Sequence, residues 1–131
     1  MIRILVTGSR FLTDAGTVND ALLGLWLELG QPDDAVLVCG GARGADTLAA
    51  AVWQKALGLP VEVHQADWQR HGPAASPLRN TEMVTAGADV CLAFFQDGAI
   101  NAGTRDTVNR CAAAGIPVRE FHCAIAANGA A

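Results

Sequence analysis

One stretch limits what this chain can become more than any other. Val36-Leu37-Val38-Cys39 runs straight into Gly40-Gly41-Ala42-Arg43-Gly44-Ala45-Asp46. The apolar run reads as a buried strand, and a helix is expected to start at Gly44 or Ala45. Between them, Gly40, Gly41, Ala42, Gly44 and Ala45 carry almost no side chain. A tight turn alone needs one or two small residues. Five imply that something approaches the backbone closely or that the chain passes through φ > 0. A strand, a small-residue turn and a helix N-terminus together make an anion site, because free amides and the helix dipole both favour negative charge.

The rest of the chain repeats this build. Strands are expected at Ile2–Val6, Ala35–Cys39, Val61–Gln65, Ala88–Phe94 and Pro117–Phe121. Helices are expected from about Asp14 to Leu29, from Gly44 or Ala45 to Leu57, from Ser76 or Leu78 to Ala86, and from Thr104 or Arg105 to Ala114. In the first helix, Val18, Ala21, Leu22, Leu25, Trp26 and Leu29 recur at helical spacing and form the inward stripe. In the second, Leu48, Ala49, Val52, Trp53 and Ala56 do so. Leu23 and Leu27 fall on the opposite face of the first helix, either as scattered surface residues or as a homodimer contact. Ala66–Pro77 reads as a long loop, a place where function often sits.

Continuously apolar strands alternating with helices predict an α/β fold, a three-layer, doubly wound, mostly parallel sheet of about five strands. Residues 1–123 are expected to form one domain, and 124–131, rich in Ala and Gly, a flexible tail. Ligands of such sheets bind at the carboxyl ends of the strands, near the switch point. Three small-residue turns map to that edge: Thr7-Gly8-Ser9, Gly40–Gly44 and Gly98–Thr104.

The 131 residues carry a net charge of −4, which opposes a dedicated nucleic-acid binder. No apolar run approaches a membrane span and no signal peptide is visible, so the chain reads as soluble and cytoplasmic. Cys39, Cys91, Cys111 and Cys123 form no CxxC pair and read as buried reduced thiols. No His, Asp and Cys set has metal-ligand spacing, so neither a metal nor a cofactor is expected. The first turn, Thr7-Gly8-Ser9-Arg10-Phe11-Leu12, lacks GxGxxG, and no acid ends the second strand. A nicotinamide dehydrogenase is therefore disfavoured, and the missing GxxxxGK[ST] disfavours a P-loop NTPase.

Five segments carry a family resemblance: Ile4–Arg10, Gly40–Asp46, Ala66-Asp67-Trp68 with His71-Gly72, Arg79-Asn80 with Met83, and Gly103–Asp106. Together, from Ile2 to about Phe121, they resemble the SLOG superfamily, in the branch typified by the YspA and YpsA proteins. The resemblance implies a Rossmann-like fold that binds nucleotides or nucleotide-derived ligands, phosphoribosyl or ADP-ribose-like, with a sensing role. Relatives include the Lonely Guy phosphoribohydrolases, which cut the N-glycosidic bond of nucleoside monophosphates, and DNA-processing protein A, which binds single-stranded DNA. The resemblance aligns Arg79 with an arginine of the Lonely Guy enzymes and Gly103-Thr104 with the GT of their PGGxGTxxE motif. The glutamate of that motif falls on Thr107, with Asp106 one residue early, and Ile100-Asn101-Ala102-Gly103 replaces PGG. Binding is therefore the first reading, N-glycosidic hydrolysis the alternative and single-stranded nucleic acid the third.

Candidate residues follow. The backbone of Gly8, Ser9, Gly40, Gly41, Ala42 and Gly44, and of Gly103 and Thr104, would cradle a phosphate. The Thr104 hydroxyl would donate to it, or serve only as a helix cap. Arg10, Arg43 and Arg79 would pair with an anion, or make surface ion pairs. Asp46 and Asp106 would accept from ribose hydroxyls, or merely suit a helix dipole. Asn80 joins this set through the resemblance. Trp68 offers a stacking face for a base, or plugs the core under its loop. His71 offers a ligand contact or a proton carrier. If a bond is cut, Arg79 with Asp106 or Glu82 is the expected catalytic group. His64 and His122 read as structural.

Overall fold

The five apolar runs become five parallel strands in a computed structural model that describes residues 1–125. The strands are β1 (Arg3–Gly8), β2 (Val36–Cys39), β3 (Val61–Val63), β4 (Val90–Gln96) and β5 (Val118–Cys123). The helices are α1 (Ala15–Glu28), α2 (Ala45–Ala51), a single turn α3 (Trp68–His71), α4 (Ala75–Ala86) and α5 (Ala102–Ala113). The sheet order is β3-β2-β1-β4-β5, with every neighbouring pair parallel. Ile4 stands opposite Leu37 on one side and Val90 on the other. The chain steps outward from β1 to β3, then returns to the far side of β1 to lay down β4 and β5. The reversal leaves a crevice beyond the carboxyl ends of β1 and β4.

Successive strand residues face opposite sides of the sheet. Ile4, Val6, Leu37, Leu92 and Phe94 meet Leu22 of α1 and Ala49 of α2, together with Trp53. Leu5, Val38 and Cys91 meet Met83 and Val84 of α4 and Cys111 of α5. Helices thus cover both faces, giving the expected three layers and a Rossmann-like α/β fold. Among the described residues, no helix is long and apolar enough to cross a membrane.

Several elements differ from their expected bounds. Val52–Ala56 winds as a π turn rather than an α-helix. Its wider coil shifts the buried face, so Ala56 is exposed while Trp53 stays buried, its Nε1 donating to the Ala35 carbonyl at 3.3 Å. Leu29 is exposed because α1 ends at Glu28 and Leu29 is only its cap. Leu27 is exposed and Leu23 half-buried. The expected loop from Ala66 is mostly helical. Asp67 caps α3 by accepting from the Arg70 amide, and a 3-10 turn, Gly72–Ala74, leads directly into α4. Helix α5 starts two residues early, at Ala102, so Asn101 and not Thr104 holds the cap position. Strand β5 runs two residues further than expected, to Cys123, and 126–131 of the expected tail lie outside the described residues.

Candidate functional site

The three small-residue turns meet at one cleft of about 320 Å³ at the carboxyl edge of β1 and β4. Gly8, Ser9 and Arg10 supply one wall, Ala42 and Asp46 another, Arg79 and Asn80 a third, and Gly103 and Thr104 the last. A second cleft of about 310 Å³ adjoins it, lined by Gly40, Gly41, Arg43, Gln65, Ala66 and Trp68. Arg10, Ala42 and Arg79 line both.

Much of the smallness of the glycine turn serves protein neighbours. A Cβ on Gly40 would lie 2.6 Å from the Arg79 guanidinium carbon. Gly44 has φ +79°, and a Cβ there would strike the backbone of Ser9 and Arg10. Gly44 lines neither cleft. These positions are small because Arg79 and the β1 turn press against them and, at Gly44, because the chain passes through φ > 0, one of the two readings that the sequence allowed.

The carboxylate of Asp46 organises the turn. Its Oδ2 accepts from the Gly40 amide at 3.0 Å and from the Ala42 amide at 3.3 Å. The Ala45 amide donates to the Ser9 carbonyl at 3.2 Å and ties this turn to the first. Within the expected cradle, the Gly40 and Ala42 amides are thus already occupied. Asp46 is only 6% exposed. Burial pushes its carboxyl up to about 6, against the opposing pull of the Ala42 and Gly40 amides and the Arg79 charge.

Arg79 is pinned under the turn. Its NH1 donates to the Gly40 carbonyl at 2.9 Å and its Nε to Asn80 Oδ1 at 3.0 Å. Buried Asn80 donates in turn to Asp106 Oδ2 at 3.0 Å, the oxygen that also accepts from Arg110 Nε at 2.9 Å. Burial would raise the Asp106 carboxyl, but Arg110 and Asn80 outweigh it and hold it low. Asp106 therefore stands behind the cleft as a positioned ion, and it lines neither cleft.

Two further expected residues are elsewhere. The Glu82 carboxylate lies 2.7 Å from His64 Nδ1, in a network that continues through Glu62 to Arg3. His71 is exposed and lines neither cleft.

The wall made by α5 is the one rich in free donors. The first amides of an α-helix have no intrahelical acceptor. Asn101 gives them no side-chain bond, because its side chain turns back to the amide and carbonyl of Gln96. Thr104 is buried and lines the first cleft. This wall, with Arg10 and Arg79 across from it, can hold an anion. At the rim, Phe11 and Ile100 are exposed, Ile100 by 84%. Sequence reasoning passed over both, together with Ser76 and Gln65. Ile100 had a visible signal, a large apolar residue inside a loop of small and polar ones. Ser76 and Gln65 had none.

The pattern matches known proteins. The model of the YspA, cpYpsA-related SLOG family covers residues 2–71, just over half of the chain. The Gene 61 protein of Mycobacterium phage D29 is 48% identical over 126 residues, a span covering 92% of this chain and 97% of that protein. The chain belongs to the YspA, cpYpsA-related SLOG family.

Proposed function

We propose that this SLOG-family protein binds a nucleotide or a nucleotide-derived, phosphoribosyl-bearing ligand, and that it acts as a binding or sensing module. The observation that carries this reading is the meeting of Arg10 and Arg79, shared by both clefts, with the uncapped first turn of α5. A phosphate there would receive charge-assisted bonds from the guanidiniums, backbone amides and the Thr104 hydroxyl. Trp68, 53% exposed on the wall of the second cleft, offers a face on which a base could stack. The hydrolase alternative gains no support from Asp106 or Glu82, since neither reaches the clefts. A net charge of −4 favours a small ligand over a nucleic-acid strand.

The test is calorimetric titration and thermal unfolding with the four nucleoside 5′-monophosphates and inorganic phosphate. At least one nucleotide should bind and raise Tm, a ligand at 100 times its Kd adding about 2.7 kcal/mol. Thr104→Val and Arg10→Ala should weaken that binding while leaving the fold intact. A protein that ignores the whole panel would overturn the reading.

A further inference from the structure

Asp46 is a buried carboxylate used on one side only. Its Oδ2 holds the Gly40 and Ala42 amides, and its Oδ1 takes no hydrogen bond from any described residue. Among the described residues, no fully buried side-chain nitrogen or oxygen lacks a partner. Oδ1 must therefore be reachable, and the space that Asp46 lines is the first cleft. A nearly buried acceptor, fixed by two amides and lacking a donor among the described residues, stands in a cleft whose other charged side chains, Arg10 and Arg79, are donors.

Its charge excludes some partners. A phosphate would be repelled by a carboxylate, so the anion belongs at the α5 wall and not here. A cation is disfavoured too, because the Arg79 charge acts on the same carboxylate. The groups facing Asp46 are Arg79 from α4 and the Cys39 thiol from β2, with Arg10 across the cleft. The thiol, pushed up to about 11 by burial and by the Asp46 charge, stays protonated at neutral pH. The remaining need is a neutral hydroxyl close to a phosphate, which is the chemistry of a sugar phosphate.

We propose that Asp46 Oδ1 accepts a hydrogen bond from a sugar hydroxyl of the bound ligand, so that the site selects ribonucleotides over their deoxy counterparts. This rests on the nucleotide reading for the anion. It adds a specificity determinant on a different wall of the cleft. A site built around a buried acceptor discriminates against the analogue without the donor, because the acceptor is then left unpaired.

The experiment is calorimetric titration of the wild-type protein with nucleoside 5′-monophosphates and their 2′-deoxy and 3′-deoxy analogues. For whichever base binds, at least one deoxy analogue should bind about ten- to a hundredfold more weakly. The ratio of ribo to deoxy affinity should shrink as pH falls below about 6, where Asp46 protonates. Taking the ratio cancels the titration of the phosphate itself. Asp46→Asn keeps an oxygen for the two amides and should leave a ratio that no longer varies with pH. Equal ribo and deoxy affinities in the wild type, at every pH, would overturn the inference and leave the nucleotide reading standing. Absence of any nucleotide or phosphate binding would overturn both.

Discussion

Two carboxylates, Asp46 and Glu62, differ in how completely the fold supplies their partners. Glu62 lies on the β3 edge, and both its oxygens are filled. Arg3 donates to it twice, at 3.0 and 2.7 Å, and His64 Nε2 lies 2.6 Å away. The hydrogen bonds from Arg3 and His64 hold its carboxyl down at about 2. The imidazole responds in kind: burial alone would lower His64, but Glu82 and Glu62 raise it. Asp46 is far more buried, yet its hydrogen bonds among the described residues are two amides on one oxygen, with the Arg79 charge nearby, and its carboxyl rises to about 6. A charge in the interior is normally matched by partners on every side. Asp46 departs from that rule on the side that opens onto the cleft.

The largest effect should come from breaking the frame that holds Asp46. Gly44→Ala would put a Cβ into the Ser9–Arg10 backbone at φ +79°. We expect a loss of about 3 kcal/mol or more, read as a fall in urea midpoint, and loss of nucleotide binding with it.

Next comes a paired test of the two carboxylates. Glu62→Gln should cost up to about 1 kcal/mol at pH 7, since its ion pair is partly exposed. Its folded value is below the ordinary 4.5, so its contribution is complete above that pH and lost as pH falls toward 2. Asp46→Asn should behave oppositely. The folded value of Asp46 is above the ordinary 3.8, so ionising it opposes folding. That cost is absent at pH 3, grows between about 4 and 6, and is complete above 6. The substitution should therefore leave stability unchanged at pH 3 and raise it at pH 7, measured by urea denaturation across that range. A loss of stability at pH 7 would mean the Asp46 charge is structural, and the contrast with Glu62 would fail.

The smallest effect on stability should follow Trp68→Ala, within about 0.5 kcal/mol, because this indole is more than half exposed. Its effect on nucleotide affinity should be larger, up to about 3 kcal/mol if a base stacks there. Equal affinities for the variant and the wild type would remove Trp68 from the site.

Residues distant in sequence explain why Asp46 was harder to read than the strands. A carboxylate in the first turn of a helix looks like a partner for the helix dipole, and Asp46 occupies such a position. Its contact with the Gly40 and Ala42 amides could have been suspected from the spacing. Its burial against Arg79, contributed by α4, could not. Asp106 and Glu82 were hard to place for the reverse reason. Each is an acid near a motif, but Asn80 and Arg110 hold one, and His64 holds the other at a different edge of the sheet.

What the sequence by itself determined was the alternation of strand and helix and the place of the three small-residue turns. Both follow from local periodicity and from the backbone demands of glycine. The tertiary structure alone decided which donors and acceptors remain unpaired at those turns. A hydrogen bond is completed by a group dozens of residues away, as when Arg79 reaches the Gly40 carbonyl. Only the folded arrangement of β1, β2, α4 and α5 shows that Asp46 Oδ1 and the first turn of α5 are left without a partner among the described residues.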